Sequence, residues 1–489
     1  MGYSIQFAKN SLPYPPSYTA FSLANKKKAI LRSLYRCNNK SNHNGVEEMM
    51  NAHQDVSEKN HQKKKGNLEE KTKGYLLPLP DITDFNGATK SVTSISNKQL
   101  NPKSRKGKNA MQFTTTSKEL SEVLVNMNRV INSKNVLPIL ADIIFIVKNS
   151  NLTLKASDGE VTLQADVTIT DVEGEGTFAV NAKDIMEGVK GLPEIPLTFS
   201  INEGDNSVKV DYFSGIFTLP TDKSDKFPTT PDMQQDEVRT TAINEGLLQE
   251  NIARTVFATS QDELRPVMNG IFFNLTTEHL AVVASDGHQL VRNTIDSIKA
   301  EDDNHKGSFI LPKKPAHILK NILRKGTEEG VMLTFDGRQV RITAQRFTMT
   351  CRLIEGRYPN YNSVIPKSNP NIVMVDRNTL IAALKRVVPF SNSSSQLVKM
   401  HVENGTIQLD TEDYDFSKTA TERMTCEYNG TAMSIGFKGT SLVEILSNIN
   451  STEIEIQLAD PSRAALLMPA EQPQDMNILM LQMPMLLND

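Results

Sequence analysis

Two helix-like patterns each occur three times in this chain, and that repetition constrains the fold more than any single motif does. The first reads TSKELSEVLVNMNRVIN from residue 116, AINEGLLQENIARTVFA from 242 and VDRNTLIAALKRVVPFS from 375. The second reads FAVNAKDIMEGVKGL from 178, FILPKKPAHILKNIL from 309 and IGFKGTSLVEILSNI from 435. In the first copy Leu120, Val123, Leu124, Met127 and Ile131 recur at helical spacing, so one face is apolar. Thr116 and Glu119 have the spacing of a capping box. Each copy of the second pattern starts as a short strand that feeds a helix.

Strand-like runs fill the spaces between. LTLKASDGEVTLQADV from 152 and LAVVASDGHQLVRNTI from 280 match 128 residues apart. Asp-Gly between alternating runs predicts a hairpin. LTFSINEGDNSVKVDYFSGIFTL and LTFDGRQVRITAQRFTMTCRLI follow the second helix in copies one and two; EIEIQLADPSRAALLMPA takes that place in copy three. The chain therefore reads as three α+β units of roughly 125 residues, each with two helices and mostly antiparallel sheet. Their expected boundaries are 111–236, 237–369 and 370–489. The repeat also governs single residues. His288 beside Asp286 has the makings of acid–base or metal chemistry, but its counterpart in copy one is Glu160 at the same turn. A hairpin position is the reading that follows.

Composition separates an arm from a body. Residues 1–110 hold 19 Lys and Arg against 8 Asp and Glu, a net of +11; the remainder holds 35 against 49, a net of -14. The arm is rich in Asn, Ser and Lys with little hydrophobic periodicity, and is expected to be disordered. Three readings of it stay open: weak, salt-sensitive DNA affinity, a targeting peptide, or a passive tail ahead of a functional start at Met111. The targeting reading draws on the absence of Asp and Glu from the first 46 residues. Lys dominates there, however, where such peptides favour Arg. The body, with 38% hydrophobic and 23% charged residues overall, is expected to fold as a soluble protein. No apolar run approaches the roughly 18 residues of a membrane span. Cys37, Cys351 and Cys426 are far apart and form no CxxC pair, so neither a disulfide framework nor a zinc site is expected, and a reducing, cytoplasmic setting fits.

Catalytic signatures are missing. There is no GxxxxGK[ST] loop. GEGTFA at 174–179 formally fits GxGxxA, but a dinucleotide site needs those glycines to open a helix after a strand, and Thr177–Val180 read as strand. No HExxH, GxSxG or Cys/His arrangement occurs. No cofactor and no metal are expected, and the body reads as a binding scaffold. Basic residues lie off the apolar stripes in all three units: Lys118, Arg129, Lys183 and Lys190; Arg254, Lys313, Lys314, Lys320, Arg324 and Lys325; Lys385, Arg386 and Lys438. For any one of them a solvated helix face is the simpler account. Recurrence in three units supports one shared basic surface that binds phosphate backbone without reading sequence. A repeat-built interaction scaffold without DNA remains the alternative.

MQFTTTSKEL, VLPIL, FAVNAKDIMEGVKGLP, MNGIFF, ASDGHQL, GRYPNYNSVIPK and the tail MPM, in this order over residues 111–489, resemble the bacterial sliding clamp family, the β subunit of DNA polymerase III. The resemblance implies a non-catalytic processivity factor: a head-to-tail homodimeric ring of six domains around double-stranded DNA, with helices lining the hole. It implies as partners the polymerase III α subunit, the clamp-loader complex and other proteins with a clamp-binding motif. Polymerase and 3′–5′ exonuclease activities then belong to the holoenzyme, and the protein works at the nucleoid. Lys134 and Gln261 match DNA-contacting positions, and Lys183, Lys190, Arg254, Lys314, Lys320 and Lys385 are expected to join them. The family's aromatic residues in the loop after Gln261 are replaced by Pro266 and Val267. Phe217 and Leu219 are expected to meet Phe390 of the other subunit. A hydrophobic pocket for partner peptides is implied at Met268, Ser285, Gly287, His288, Leu290, Pro359, Val364, Tyr428, Met483, Pro484 and Met485. Methionine suits a surface that accepts several partners. Gln289, Ser363 and Leu486 stand where the family commonly has Arg, which implies a preference for less acidic peptides.

Overall fold

The computed structural model describes residues 110–132, 137–202, 206–234 and 237–487. The expectations for the arm, and for Lys134, lie outside the described residues. Unit 1 holds β1 (Ala110–Thr116), α1 (Ser117–Asn128), β2 (Asp142–Lys148), β3 (Asn151–Ser157), β4 (Val161–Val167), β5 (Thr170–Glu173), β6 (Gly176–Asn181), α2 (Ala182–Val189), β7 (Pro196–Asn202), β8 (Ser207–Tyr212) and β9 (Gly215–Pro220). Unit 2 holds β10 (Arg239–Asn244), α3 (Glu245–Thr255), β11 (Gly270–Leu275), β12 (Leu280–Ser285), β13 (Gln289–Ile295), β14 (Gly307–Pro312), α4 (Lys313–Ile322), β15 (Gly330–Phe335), β16 (Gln339–Thr343) and β17 (Phe347–Arg352). Unit 3 holds β18 (Asn371–Asp376), α5 (Arg377–Val387), β19 (Leu397–Glu403), β20 (Thr406–Asp413), β21 (Lys418–Thr425), β22 (Met433–Lys438), α6 (Gly439–Ser447), β23 (Glu453–Leu458), β24 (Ala465–Pro469) and β25 (Met476–Gln482).

All six helices fall on the repeated patterns, and the strand-into-helix reading of the second pattern holds three times. Four of these helices start on a side-chain cap, and α4 and α6 do not. Thr116, Asn181, Asn244 and Asp376 each accept a backbone N–H of the first turn, which satisfies a donor that has no partner within the helix. The capping box at α1 is only half made. Glu119 N donates to Thr116 Oγ1 at 3.3 Å, but the Glu119 carboxylate accepts from Thr168 N and Oγ1 at 2.9 and 2.8 Å. Thr116 is itself paired in the β1–β7 ladder, so the glutamate is free to staple β4's exit instead.

The sheets do not stop at unit boundaries. Their strand orders are β5-β1-β7-β8-β9, β10-β15-β16-β17-β4-β3-β2-β6, β14-β11-β12-β13-β25-β24-β23-β18 and β21-β20-β19-β22. Two eight-stranded sheets thus weld unit 1 to unit 2 through β4–β17, and unit 2 to unit 3 through β13–β25. Both junctions use one register: Val161 faces Cys351, and the equivalent Gln289 faces Gln482. Past each ladder the same backbone bond recurs, Arg352 N to Glu160 O at 3.0 Å and Met483 N to His288 O at 2.8 Å. The hydrophobic core follows the welds. One cluster runs through units 1 and 2, with stacked pairs Phe113–Phe199 and Phe273–Phe309 at 4.8 Å, each ring contributing roughly 1.5–3 kcal/mol by burial. A second cluster fills unit 3, and a small third one lies at the unit 2–3 junction.

Candidate partner pocket and nucleic-acid interface

At the unit 2–3 junction the turn between β12 and β13 is built from its own polar side chains. Asp286 Oδ1 accepts His288 N and Gln289 N, both at 2.8 Å, and Ser285 Oγ accepts Gly287 N at 3.2 Å. Gly287 has φ +94°, a conformation that L side chains rarely adopt. Leu290 leaves this turn into the third apolar cluster, packed with Tyr358, Leu466 and Leu481. Val267, beside the buried Met268, Phe272 and Tyr361 form the cluster's partly buried margin. Phe272 stacks on Tyr358 with centroids 4.7 Å apart. Burial pushes the Tyr358 phenol up.

The C-terminal tail crosses this junction. Met483 N donates to His288 O and Met485 N to Gly436 O, each at 2.8 Å. Pro484 between them brings no donor, so the ladder stops there. A Cβ on Gly436 would come within 2.6 Å of Met485 O, so the tail's approach requires glycine. Val364 and Met483 are exposed, Pro359 sits exposed on the connector between units 2 and 3, and Leu486 is 84% exposed. The structure thus gathers Met268, Ser285, Gly287, His288, Leu290 and the Met483–Met485 tail around one junction. Tyr428 belongs to the core of unit 3, where its hydroxyl donates to Thr431 O at 2.7 Å. Met480 is fully buried, as core filler. Sequence reasoning missed Tyr358, Leu466 and Leu481. Period-2 alternation marks Leu479 and Leu481 as one face of β25, but both faces of that strand are apolar, so the pattern does not say which one meets the site.

Of the residues expected at DNA, Lys183, Lys190, Lys385 and Gln261 are exposed, and Lys320 is half-buried. Two others are corrected. Arg254 is 7% exposed; its guanidinium reaches Met476 Sδ at 3.6 Å and Glu250 at 3.9 Å, and burial lowers its pKa against the pull of Glu250. The reason is that α3 is enclosed on more than one face, with Gln249, Asn251 and Thr255 also buried. An amphipathic pattern cannot reveal a second covered face. Lys314 is committed as well. Its Nζ donates to Val130 O at 2.7 Å and pairs with Asp158, which ties α4 of unit 2 to unit 1.

The ends of the described chain differ from its interior. β9 and β21 are edge strands of the two outer sheets. Phe217 and Leu219 on β9 are half-buried, whereas their equivalents on the welded strands, Met349 and Cys351 on β17 and Met480 and Gln482 on β25, are all at most 2% exposed. Phe390, 44% exposed, holds the place of Val130 and Ala258, both at 0%. Phe213, Ile216, Tyr414 and Phe416 add exposed apolar surface beside the same edges; the sequence reading did not single them out. Among the described residues no group of three or more His, Cys, Asp or Glu could hold a metal ion, and no helix is long and apolar enough to cross a membrane.

Three like α+β units welded edge to edge, with a small apolar cluster at the second weld, define a clamp-type scaffold. The family models for the N-terminal, central and C-terminal domains of the DNA polymerase III beta subunit match residues 111–231, 242–360 and 362–486. A beta sliding clamp from Pseudomonas aeruginosa is 28% identical over 370 residues, covering 76% of this chain and 99% of that relative. One from Haemophilus influenzae is 27% identical over 360 residues, covering 73% and 95%. Among solved structures, the Pseudomonas aeruginosa sliding clamp bound to griselimycin superposes with a TM-score of 0.72 at 27% identity, covering 78% of this chain and all of that one. The Thermotoga maritima beta subunit gives 0.70 at 27%, covering 77% and all of that chain. The chain belongs to the DNA polymerase III beta subunit family, the bacterial sliding clamps. The function that goes with that membership is that of a processivity clamp in DNA replication.

Proposed function

We propose that two copies of this chain close head to tail into a ring around duplex DNA, with three domains each (111–236, 237–369 and 370–489). The observation that carries this is the repeated weld. Both internal junctions join the third strand of one unit's first hairpin set to the last strand of the next, in one register. The equivalents left over are β21 at one end and β9 at the other. Applying the same register places Lys418 opposite Leu219, Thr419 opposite Thr218 and Ala420 opposite Phe217 of the partner copy. Such a contact is heterologous yet closed, and it covers Phe217, Leu219 and Phe390. The ring is itself non-catalytic. It holds the polymerase on its template by topology, so each phosphate contact stays weak and the ring slides.

The cleft at the unit 2–3 junction is the peptide pocket for the polymerase α subunit, the clamp loader and other clamp-binding proteins, in the cytoplasm at the nucleoid. Ser363 and Leu486 leave its rim without the basic residues common in the family, and Arg265 is neutralised by Asp262 at 2.8 Å. The pocket therefore favours apolar, less acidic peptides; a strong preference for an acidic residue in competition binding defeats this.

The DNA-facing reading rests on the exposed Lys183, Lys190 and Lys385. Lys183→Glu with Lys190→Glu is expected to lower the slope of log affinity against log salt by about 2. Arg254→Met leaves that slope unchanged and stability nearly so, because a buried charge replaced by an apolar side chain of similar length is often neutral. For the ring itself, the protein is loaded on circular DNA with its loader and ATP, and the DNA is then linearised. The clamp is retained on the circle and lost from free ends. Retention indifferent to linearisation sinks the ring and favours a phosphate-binding scaffold.

A further inference from the structure

We infer that the junction between units 1 and 2 holds a second ligand site, built on the plan of the partner pocket but selective for hydrophilic peptide. The inference rests on the reading of the unit 2–3 cleft as a peptide pocket. A cleft of about 310 Å³ lies at the first junction. Its turn Ser157–Glu160 repeats Ser285–His288 down to the glycine: Gly159 has φ +96° where Gly287 has +94°. Asp158 Oδ1 accepts Glu160 N and Val161 N as Asp286 accepts its own pair. Pro228 stands on the connector after the aromatic Phe227, as Pro359 follows Tyr358. Arg352 leaves the junction strand through the backbone bond that Met483 makes at the other weld.

The backbone plan is shared and the chemistry is changed. Thr162 replaces Leu290, Thr350 replaces Leu481, Arg352 replaces Met483 and Glu160 replaces His288. Thr162 Oγ1 donates to Ser157 Oγ at 3.1 Å, so hydroxyls form the floor. The rim carries both signs, with Glu160 and Asp232 against Arg338 and Arg352, all exposed. A leucyl side chain seated here would cover hydroxyls and guanidinium groups without bonding them, and each would lose its water unpaid. A peptide bearing hydroxyl, acidic and basic side chains replaces those bonds. The wall of the cleft is held ready. Gln339 Nε2 donates to Pro231 O at 3.2 Å and Gln234 N to the buried Asp336 at 3.1 Å, which fixes the connector across the opening. A partner anchored by an apolar motif at one junction would then meet a hydrophilic site at the neighbouring one, where tethering makes a weak contact effective.

The chain has no tryptophan, so single reporters are free of background. Thr229→Trp is placed at the rim of the first cleft and Asn362→Trp at the rim of the second, each in the full chain. The probes are acetyl-Ser-Glu-Thr-Lys-Ser-amide and acetyl-Ala-Leu-Ala-Leu-Phe-amide. The hydrophilic probe is expected to change the Thr229→Trp signal saturably and leave Asn362→Trp unmoved; the apolar probe does the reverse. Adding Arg338→Ala and Arg352→Ala weakens the hydrophilic probe by about tenfold or more, as loss of charge-assisted bonds requires. Calorimetric titration of the unsubstituted chain guards against a reporter that blocks its own cleft. No saturable heat and no Thr229→Trp response to the hydrophilic probe overturns the second site, and so does an equal response of that reporter to both probes. Silence of Asn362→Trp toward the apolar probe counts instead against the partner pocket.

Discussion

Phe390→Glu is expected to convert the proposed dimer into monomers. In one chain this phenyl ring is 44% exposed, while Val130 and Ala258 at the equivalent positions are wholly buried by the neighbouring unit. Closure of β21 against a partner's β9 buries Phe390 in the same way. Removing the ring from that contact loses roughly 1.5–3 kcal/mol of apolar burial, and leaving a carboxylate there adds about 1–3 kcal/mol of unpaired desolvation even after relaxation. About 4 kcal/mol at each of the ring's two interfaces, about 8 kcal/mol in all, weakens the dimer by roughly five to six orders of magnitude. Sedimentation equilibrium reads the dissociation constant, and circular dichroism melting reads the fold, which the surface position leaves intact. A dimer of unchanged affinity removes Phe390 from the interface, and with it the argument that β9 and β21 close on the plan of the inner welds.

Removal of Met483–Asp489 is expected to abolish partner-peptide binding at the proposed pocket and to leave the proposed dimer whole. The truncation spares β25, so the ladder from Gln289–Gln482 to Ile295–Met476 still welds units 2 and 3. It removes the bonds from Met483 N to His288 O and from Met485 N to Gly436 O, and with them one wall of the cleft over Leu290 and Leu481. Loss of the contacts that Met483 and Met485 would make with a bound peptide, at roughly 1.5–3 kcal/mol each, predicts at least about a hundredfold weaker binding. Gly436→Ala is the graded version: a Cβ 2.6 Å from Met485 O displaces the tail without deleting it, and an intermediate affinity is expected. Fluorescence anisotropy of a labelled partner peptide measures both. Undiminished binding after truncation refutes the assignment of the tail to the pocket.

One stability prediction concerns the first junction. Burial raises the Asp336 carboxyl, but backbone N–H bonds from Arg338, Gln339 and Gln234 outweigh it and hold its pKa below the usual value. A depressed folded pKa means stability that is present above the unfolded pKa and lost as pH falls through the folded one. Asp336→Asn should therefore melt below the unsubstituted chain near neutral pH, with the gap closing below about pH 4. A gap that persists unchanged into strong acid would show that the carboxylate's charge is not what pins the connector.

Much of this was legible without coordinates, for a local reason. Helices α1 to α6 follow from the repeated patterns and their apolar spacing, with Thr116 marking the start of α1, because caps and periodicity act within a few residues. The Asp-Gly turns at 158–159 and 286–287 were equally plain, and their equivalence told against chemistry at His288. The resemblance implied a pocket from Met268 to Met485, and of its residues the structure places Tyr428 in the core of unit 3. What the resemblance could not say was which basic residues stay free. Arg254 and Lys314 carry the same side-chain types as their exposed neighbours, and only the packing of α3 against β12 and β13, with Arg254 on Met476, and the pairing of Lys314 with Asp158 took them out of reach.

The sequence by itself determined the repeated helix patterns, their threefold order, and the net charge of arm and body. The tertiary structure alone decided that sheets run through the unit boundaries in one register, that β9 and β21, the equivalents of the welded strands, stay at sheet edges, and that one junction packs Leu290 and Leu481 into an apolar cluster while its twin is lined by Thr162 and Thr350. The physical reason is range. Capping and periodicity are written in neighbouring residues, whereas Val161 meeting Cys351 or Gln289 meeting Gln482 joins strands nearly two hundred residues apart, and such pairings are selected by the burial of whole faces rather than by any local pattern.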